Sequence, residues 1–361
     1  MKILYQGPMW HGSTSLQRAE SLARQPGFET IILDSGGRVA RLPSLYARVR
    51  WRLRWPVDLL SENAALIAAA KLHVSDAIVI DSSKVIRRST LRRLREIGVK
   101  CLAYYTPDDI MGAHNLNHWI RPGFPDWDVI FTTKTFNVPE LASAGARNPV
   151  LVGKAFDAQV HRPMQPEEVG EEFERFDLVF IGTYEAERCA GINALGQAGF
   201  SVVVYGEARS GWLSAALNAR VELRPSVYAE DYVRALHHGR VALCFLRKLN
   251  RDRITQRTME IAAAGRPMLA EKTDEHDAHF IDGREYAGFL DNEDLVRKAN
   301  WLLSDETIRS QLGVEGRNRC LRSRYSSDDR AKDIVSHLIA VTGNPKGWPR
   351  RVQLYRAGAE E

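Results

Sequence analysis

The sequence has few cysteines, no long apolar run and only a small imbalance of charge. Its four cysteines, Cys101, Cys189, Cys244 and Cys320, stand far apart with no CxxC pair. That excludes a disulfide-framed scaffold and the close spacings of a zinc finger, and four reduced, buried thiols are expected. No stretch approaches the roughly 18 consecutive apolar residues of a membrane span. The opening MKILYQG has one lysine and a short strand-like run in place of a secretory leader, so the expected location is the cytoplasm. Neither a G-x-G-x-x-G nor a Walker A loop is present. A dehydrogenase is disfavoured on that ground, although Asp34 closes a second strand where an NAD ribose reader would stand.

What is present is an ordinary globular composition: 361 residues, 44% hydrophobic and 26% charged. This is enough chain for about two domains with real cores and rules out collagen-like, disordered or coiled-coil architecture. The net charge of +5 hides an asymmetry, because residues 1–100 carry 17 basic against 8 acidic side chains and the remainder carries 33 against 37. One surface of the first half is expected to meet something anionic, and a nucleic-acid partner is not expected.

Short apolar runs at 2–6, 30–33, 77–80, 99–105, 128–132 and 150–152 read as strands, with helices such as 15–24 and 90–97 between them. The runs are continuous, the pattern of parallel strands covered on both faces. A second series follows at 178–181, 201–205, 241–246, 267–270 and 288–290, and the chain closes on a helix over 328–340. Between the series, HRPMQP and EEVGEEFERF read as a linker. The expected organisation is an α/β fold of two Rossmann-like domains facing each other across a cleft: 1–160, a linker at 161–176, 177–330, and a C-terminal helix and tail at 331–361. Ligands of such sheets bind beyond the carboxyl ends of the strands.

The most informative stretch is LNRDRITQRTMEIAAAG, ending at Gly265. Thr255 reads as the N-cap of a helix running to Ala264, with Gly265 just past its end. Unpaired N–H groups at such a helix start favour phosphate, and Arg251, Arg253 and Arg257 crowd the same end. Glu260, farther along the helix, is placed to accept hydrogen bonds from ribose hydroxyls.

Asp252 precedes Glu260 by eight positions, an arrangement that resembles the paired acids of retaining GT-B glycosyltransferases, with Asp where those enzymes usually have Glu. FDLVFIGTYEAER resembles the opening strand and loop of a GT-B donor domain, with Gly182 at the strand end and Arg188 at the position that holds the donor diphosphate. RTMEIAAAGRPMLAEKTDEHDAHFIDGREYAGFLDNEDL resembles the C-terminal signature of the CgeB-like, spore-maturation-type glycosyltransferases, whose places Arg257, Glu260, Gly265, Phe280, Gly283 and Glu285 fill. AYYTPDDI and KAFDAQVHRP resemble the same family more loosely. The resemblance implies a glycosyltransferase of glycosyl transferases group 1 type, hexosyltransferase-like and metal-independent, that works in polysaccharide biosynthesis with a UDP- or GDP-sugar as donor and no permanently bound cofactor. It implies a donor site made of Gly182, Thr183, Arg188, Thr255, Arg257 and Glu260, with Arg188, Arg257 and Asp252 at the reacting centre and retention of configuration. Arg247 and Lys248 flank that site.

On the first half, Asp108 and Asp109 follow a strand end, where one can orient an acceptor hydroxyl or act as a base, or simply hold a turn. His11 and Gly12 lie in a strand-to-helix loop suited to an acceptor. Asp126-Trp-Asp128 is formally a DxD, but Asp128 opens a buried strand and reads as a cap. His276 and His279 with neighbouring acids lack regular ligand spacing, so no metal is expected and the segment reads as a flexible loop over the donor. The stretch YARVRWRLRW (46–55) alternates Arg48, Arg50, Arg52 and Arg54 with aromatic and apolar residues. Whether strand or helix, it suits an anionic membrane face, which would make the protein peripheral on the inner face of the membrane with a glycan or lipid-linked acceptor. Two alternatives stand beside transfer: a nucleotide-sugar epimerase or hydrolase of the same fold, and a non-catalytic nucleotide-binding protein.

Overall fold

Continuous apolar runs become buried parallel strands in the computed structural model, which describes residues 1–36, 45–207 and 211–343. The chain divides after Gly153 into two units. In the first, β1 (Lys2–Gly7), β2 (Glu29–Asp34), β3 (Ala77–Asp81), β4 (Cys101–Thr106), β5 (Val129–Thr132) and β6 (Pro149–Leu151) form one sheet in the order β2-β1-β3-β4-β5-β6. Every pairing is parallel, with Tyr5 opposite Ile32 on one side and Val79 on the other. Alternate residues feed opposite faces: Ile78 and Ile80 join one core cluster, Ala77 and Val79 the other. Helices α1 (Thr14–Ala23), α2 (Leu45–Arg52), α3 (Glu62–His73), α4 (Arg88–Ile97), α5 (Ile120–Gly123) and α6 (Asn137–Ser143) make the connections.

The second unit repeats the plan. Strands β7 (Phe176–Ile181), β8 (Val202–Tyr205), β9 (Val221–Arg224), β10 (Gly239–Cys244), β11 (Met268–Glu271) and β12 (Ala287–Phe289) lie in the order β12-β11-β10-β7-β8-β9, all parallel. Its helices are α7 (Pro166–Val169), α8 (Ala186–Gln197), α9 (Ala229–Leu236), α10 (Gln256–Ala263), α11 (Asp274–His279), α12 (Asn292–Ser304) and α13 (Glu306–Arg322). Strand β9 was not expected from the sequence. It is the partly exposed edge strand, and VELR carries no apolar run to announce it.

Two boundaries differ from the expected ones. The stretch 161–176 is not a linker but part of the second unit: Met164 and Val169 are buried in its core, and the Met164 amide donates to His237 Nε2 at 3.1 Å. Its acidic composition masked an apolar spacing that buries Met164, Val169 and part of Phe173. The second unit closes where Phe156 and Ser326 bridge and the Phe156 amide donates to the Tyr325 carbonyl at 3.1 Å. The last helix, α14 (Ser327–Thr342), then returns to the first unit. Ile334, Val335 and Leu338 are fully or almost fully buried there beside Ile3, Leu22 and Phe131, each contributing roughly 1.5–3 kcal/mol of apolar burial.

Candidate functional site

In the second unit, the carboxyl ends of β7, β10 and β11 bring together most of the residues singled out in the sequence. Strand β7 leads into Gly182 and Thr183, and α8 starts three residues after Thr183. A Cβ on Gly182 would come within 2.7 Å of the Phe180 ring, so a side chain here would have to displace that ring. Arg188, in the first turn of α8, is 5% exposed and folds back, donating from Nη1 to the Thr183 carbonyl at 3.1 Å and to Thr183 Oγ1 at 3.3 Å. Its Nε has no hydrogen-bond partner among the described residues, and Glu185 stands 3.8 Å away. Burial pushes the Arg188 pKa down; Glu185 opposes this, and the nearby charges of Arg257 and Arg247 add to it.

After β10 the chain turns sharply. Arg247 Nε lies 3.3 Å from Glu185, so a single carboxylate serves both Arg247 and Arg188. Lys248 instead pairs with Glu271 at the end of β11, and Glu271 also accepts from the Leu246 amide at 3.1 Å. Asp252 holds the turn: its Oδ1 accepts from Asn250 Nδ2 at 3.0 Å and its amide donates to the Arg247 carbonyl at 3.2 Å.

Thr255 then caps α10 in extended conformation, its amide donating to Thr258 Oγ1 at 3.4 Å. The helix ends before Gly265, whose φ of 69° is left-handed. Arg257 is half-buried near the helix start, and its Nε also lacks a hydrogen-bond partner among the described residues. Arg251 is exposed, and Arg253 lies 3.8 Å from Asp274.

Glu260, one turn farther along, is 8% exposed and faces two groups that sequence reasoning missed. His161 Nε2 lies 3.8 Å from Glu260 Oε1. The Asp157 amide donates to His161 Nδ1 at 2.9 Å, which leaves Nε2 to carry the ring proton toward the carboxylate. Tyr232 meets the His161 ring edge-to-face, and its hydroxyl makes no hydrogen bond among the described residues. Burial first, and the Glu260 charge second, push the Tyr232 hydroxyl well above its usual range. Spacing gave no sign of this trio, since His161 stands 71 positions before Tyr232 and 99 before Glu260 and only the fold joins them. Glu185, by contrast, stands three residues before Arg188, a helical spacing that marks it as a partner.

The rest of the signature is scaffold. Thr258 Oγ1 lies 3.0 Å from His276 Nε2 and 3.5 Å from Cys244 Sγ, which ties α10 to α11 and β10. His276 is fully buried, and burial holds its pKa down to about 4. The segment read as a flexible loop is instead ordered around helix α11, with Thr273 as its cap, Tyr286 bonded to Asp277 at 2.6 Å and Asp282 accepting from Lys272 and the Gly288 amide. Phe280 is buried core, and Glu285, 2% exposed, anchors α13 through Arg319 at 3.0 Å. Among the described residues no group of three His, Cys, Asp or Glu is placed to hold a metal ion.

The remaining candidates lie in the first unit. Asp109 is 1% exposed, and its Oδ1 accepts from the Met111 and Gly112 amides at 3.1 Å and from Asn137 at 2.9 Å. It is a turn anchor, not a carboxylate open for base chemistry. Asp108 is half-buried beside it, His11 is exposed, and Gly12 takes a left-handed φ of 82°. Asp34 is used locally, accepting from the Met9 and Gly36 amides. Asp126 pairs with Arg88, and Asp128 accepts from the Leu102 amide and Arg95, so the DxD is structural.

Chemically, the second unit offers the guanidiniums of Arg247 and Arg257 within electrostatic reach of Arg188, with one carboxylate, Glu185, shared by Arg188 and Arg247. Arg188 and Arg257 each carry an unused Nε donor. Such a group, beside a helix start, is short of negative charge and fits a phosphate-bearing ligand.

Residues 188–336 match the family described as "Glycosyl transferase-like". No curated protein matches the chain. Among solved structures, the chain is similar to sucrose-phosphate synthase from Thermosynechococcus elongatus, with 12% identity and a TM-score of 0.67 over 93% of this chain and 97% of that one. It is similar to Anabaena HepE in complex with UDP-glucose, with 12% identity and a TM-score of 0.65 over 94% of this chain and all of that one. A putative UDP-N-acetylglucosamine 2-epimerase from Listeria monocytogenes also matches, with 10% identity and a TM-score of 0.53 over 94% of this chain and 96% of that one. At such identities the likeness establishes the fold: two Rossmann-like units of GT-B architecture.

Proposed function

We propose that this chain is a glycosyltransferase that binds a nucleotide-diphospho-sugar in its second unit and moves the sugar to an acceptor. The observation that carries the reading is the pair of unused guanidinium donors on Arg188 and Arg257, beside the start of α10. The match of residues 188–336 to the glycosyl transferase-like family supports it. HepE, of similar fold, was solved with UDP-glucose, which favours a UDP-sugar over a GDP-sugar as donor.

In the reaction, the bond between the anomeric carbon and the diphosphate oxygen breaks and the nucleoside diphosphate leaves with the electron pair. The acceptor oxygen bonds the anomeric carbon and loses its proton. Charge accumulates on the leaving diphosphate, and cations already in place lower the barrier most. Arg188, held by Thr183, and Arg257 do this work without a metal ion, and Arg247 adds to the field. Glu260, which His161 faces at 3.8 Å, accepts from the ribose hydroxyls. Asp252 braces the turn that carries Arg247, and retention of configuration rests on the resemblance to enzymes with paired acids.

The fold likeness to an epimerase supports a second reading, in which the donor's sugar is altered and no acceptor is glycosylated. Incubation with a panel of UDP-sugars, followed by analysis of products, separates the two. Transfer releases UDP in proportion to glycosylated product, and at low donor concentration the release slows in Glu260→Ala. A changed sugar still attached to UDP would replace the transferase reading with the epimerase one, and intact UDP-sugars throughout would reject both.

A further inference from the structure

The arginine- and tryptophan-rich stretch of the first unit folds as α2 and the turn after it, with Arg54 at a φ of 60°. Ala47 is the only buried residue of this helix. A surface helix normally hides an apolar face against the core, and this one leaves its apolar residues outside. Of the eighteen large hydrophobics exposed among the described residues, eight fall between positions 45 and 60. Leu45, Tyr46, Val49, Trp51 and Leu53 range from 47% to 74% exposed.

The charges between them lack carboxylate partners among the described residues, although Arg50 lies over the Trp55 ring. Arg48, Arg50, Arg52 and Arg54 make no ion pair among the described residues. Elsewhere in the same unit Arg18, Arg24, Arg88, Arg93 and Arg95 all pair with carboxylates. Between α2 and the 113–117 loop lies a cavity of about 270 Å³ lined by Trp51, Arg52, Arg54, His114, Asn115 and Asn117. Its floor is fixed: Asn115 accepts from Lys84, and Asn117 donates to the Lys84 carbonyl at 3.0 Å. Trp55 behind it stacks on His118 at 4.3 Å. The cations at its mouth are left available to a ligand.

We infer that α2 and the following turn dock on an anionic lipid surface, with the exposed apolar side chains entering the interface and the cavity receiving a phosphate-bearing headgroup. Interleaved arginine, tryptophan and leucine on a helix without a buried face match that surface in both charge and polarity. A soluble polyanion would engage the arginines but leave Leu45, Val49 and Leu53 in water. This inference is independent of the donor site in the second unit.

The test is sedimentation of the full chain with phosphatidylcholine vesicles, with and without phosphatidylglycerol. Binding is expected only with the anionic lipid and should fall as salt rises. Arg52→Gln with Arg54→Gln should weaken it roughly 30-fold, the loss expected for two charges at such a surface. Val49→Ser with Leu53→Ser, outside the cavity lining and exposed enough to leave the fold intact by circular dichroism, should weaken it about tenfold. No binding by the wild-type chain overturns the inference. So does binding that the serine pair leaves unchanged, which would mark a plain polyanion site. A dimer seen by light scattering that the serine pair dissociates, without vesicle binding, would assign the face to a second copy of the chain and overturn it equally.

Discussion

Each unit carries an arginine on the helix that follows its first strand, and the two are surrounded very differently. In the first unit Arg18 on α1 reaches Asp81 at the end of β3, 2.6 Å away, with the carboxylate fully buried. Tyr5 donates to the same carboxylate at 2.5 Å, and the guanidinium sits 4.2 Å from the centre of the Tyr105 ring. Burial works most strongly against this charge, but Asp81 together with the Tyr105 and Tyr5 hydroxyls raises the Arg18 pKa overall. In the second unit Arg188 on α8 is equally buried but has no carboxylate closer than 3.8 Å, and its pKa moves the other way. The arginine after the first strand therefore forms a closed internal pair in one unit, while in the other it shares a more distant carboxylate with Arg247. The difference is the ground for placing the proposed anion site in the second unit.

The largest expected effect comes from breaking the closed pair. Asp81→Asn leaves a buried, uncompensated guanidinium and should cost about 3–5 kcal/mol in urea unfolding. Arg188→Met, which removes a charge without a close partner, should change stability by less than about 1 kcal/mol. Equal losses in the two variants would erase the comparison.

Acid sharpens it from another side. Buried His276 has a folded pKa of about 4, below its ordinary 6.5, so the unfolded chain takes up its proton first as pH falls. The stability due to the neutral ring is fully present above pH 6.5 and is lost between 6.5 and about 4, at about 3 kcal/mol. Thermal midpoints across that range should fall less steeply in His276→Gln than in the wild type; parallel slopes would show that His276 does not titrate as the buried scaffold group of the second unit.

Smaller effects belong to ligand binding. Arg188→Met should weaken UDP by about 1.5–3 kcal/mol through loss of a charged hydrogen bond. Glu260→Ala should cost about 1 kcal/mol, felt by uridine as much as by UDP if the carboxylate reads the ribose. Calorimetry with both ligands checks this, and a Glu260 effect confined to UDP would move the residue away from the ribose.

Much of this arrangement was legible in the sequence because parallel strands need continuous apolar runs and a helix start needs a cap. The runs at 77–80 and 178–181 became β3 and β7, and Thr255 and Gly265 bounded α10 as their side-chain chemistry dictates. Arg188 and Arg257 came within electrostatic reach because they start helices that follow strand ends of one sheet. What stayed hidden depended on contacts between distant residues. Nothing near Asp81 announces Arg18, 63 positions away, and nothing near Glu260 announces His161. Asp109 shows the converse: a carboxylate after a strand suits a base or a turn equally, and only its three hydrogen bonds decided for the turn. The Arg/Trp stretch left strand and helix open because alternate arginines suit either, and its lack of a buried face became visible only in the fold.

The central claim is that the buried, under-neutralised arginine of the second unit binds a nucleotide diphosphate. Calorimetric titration of UDP into the wild-type chain and Arg188→Met, with EDTA present, tests it most directly. The account predicts saturable binding by the wild type and a loss of at least tenfold in the variant. No binding by the wild type, or equal affinity in both, would contradict it.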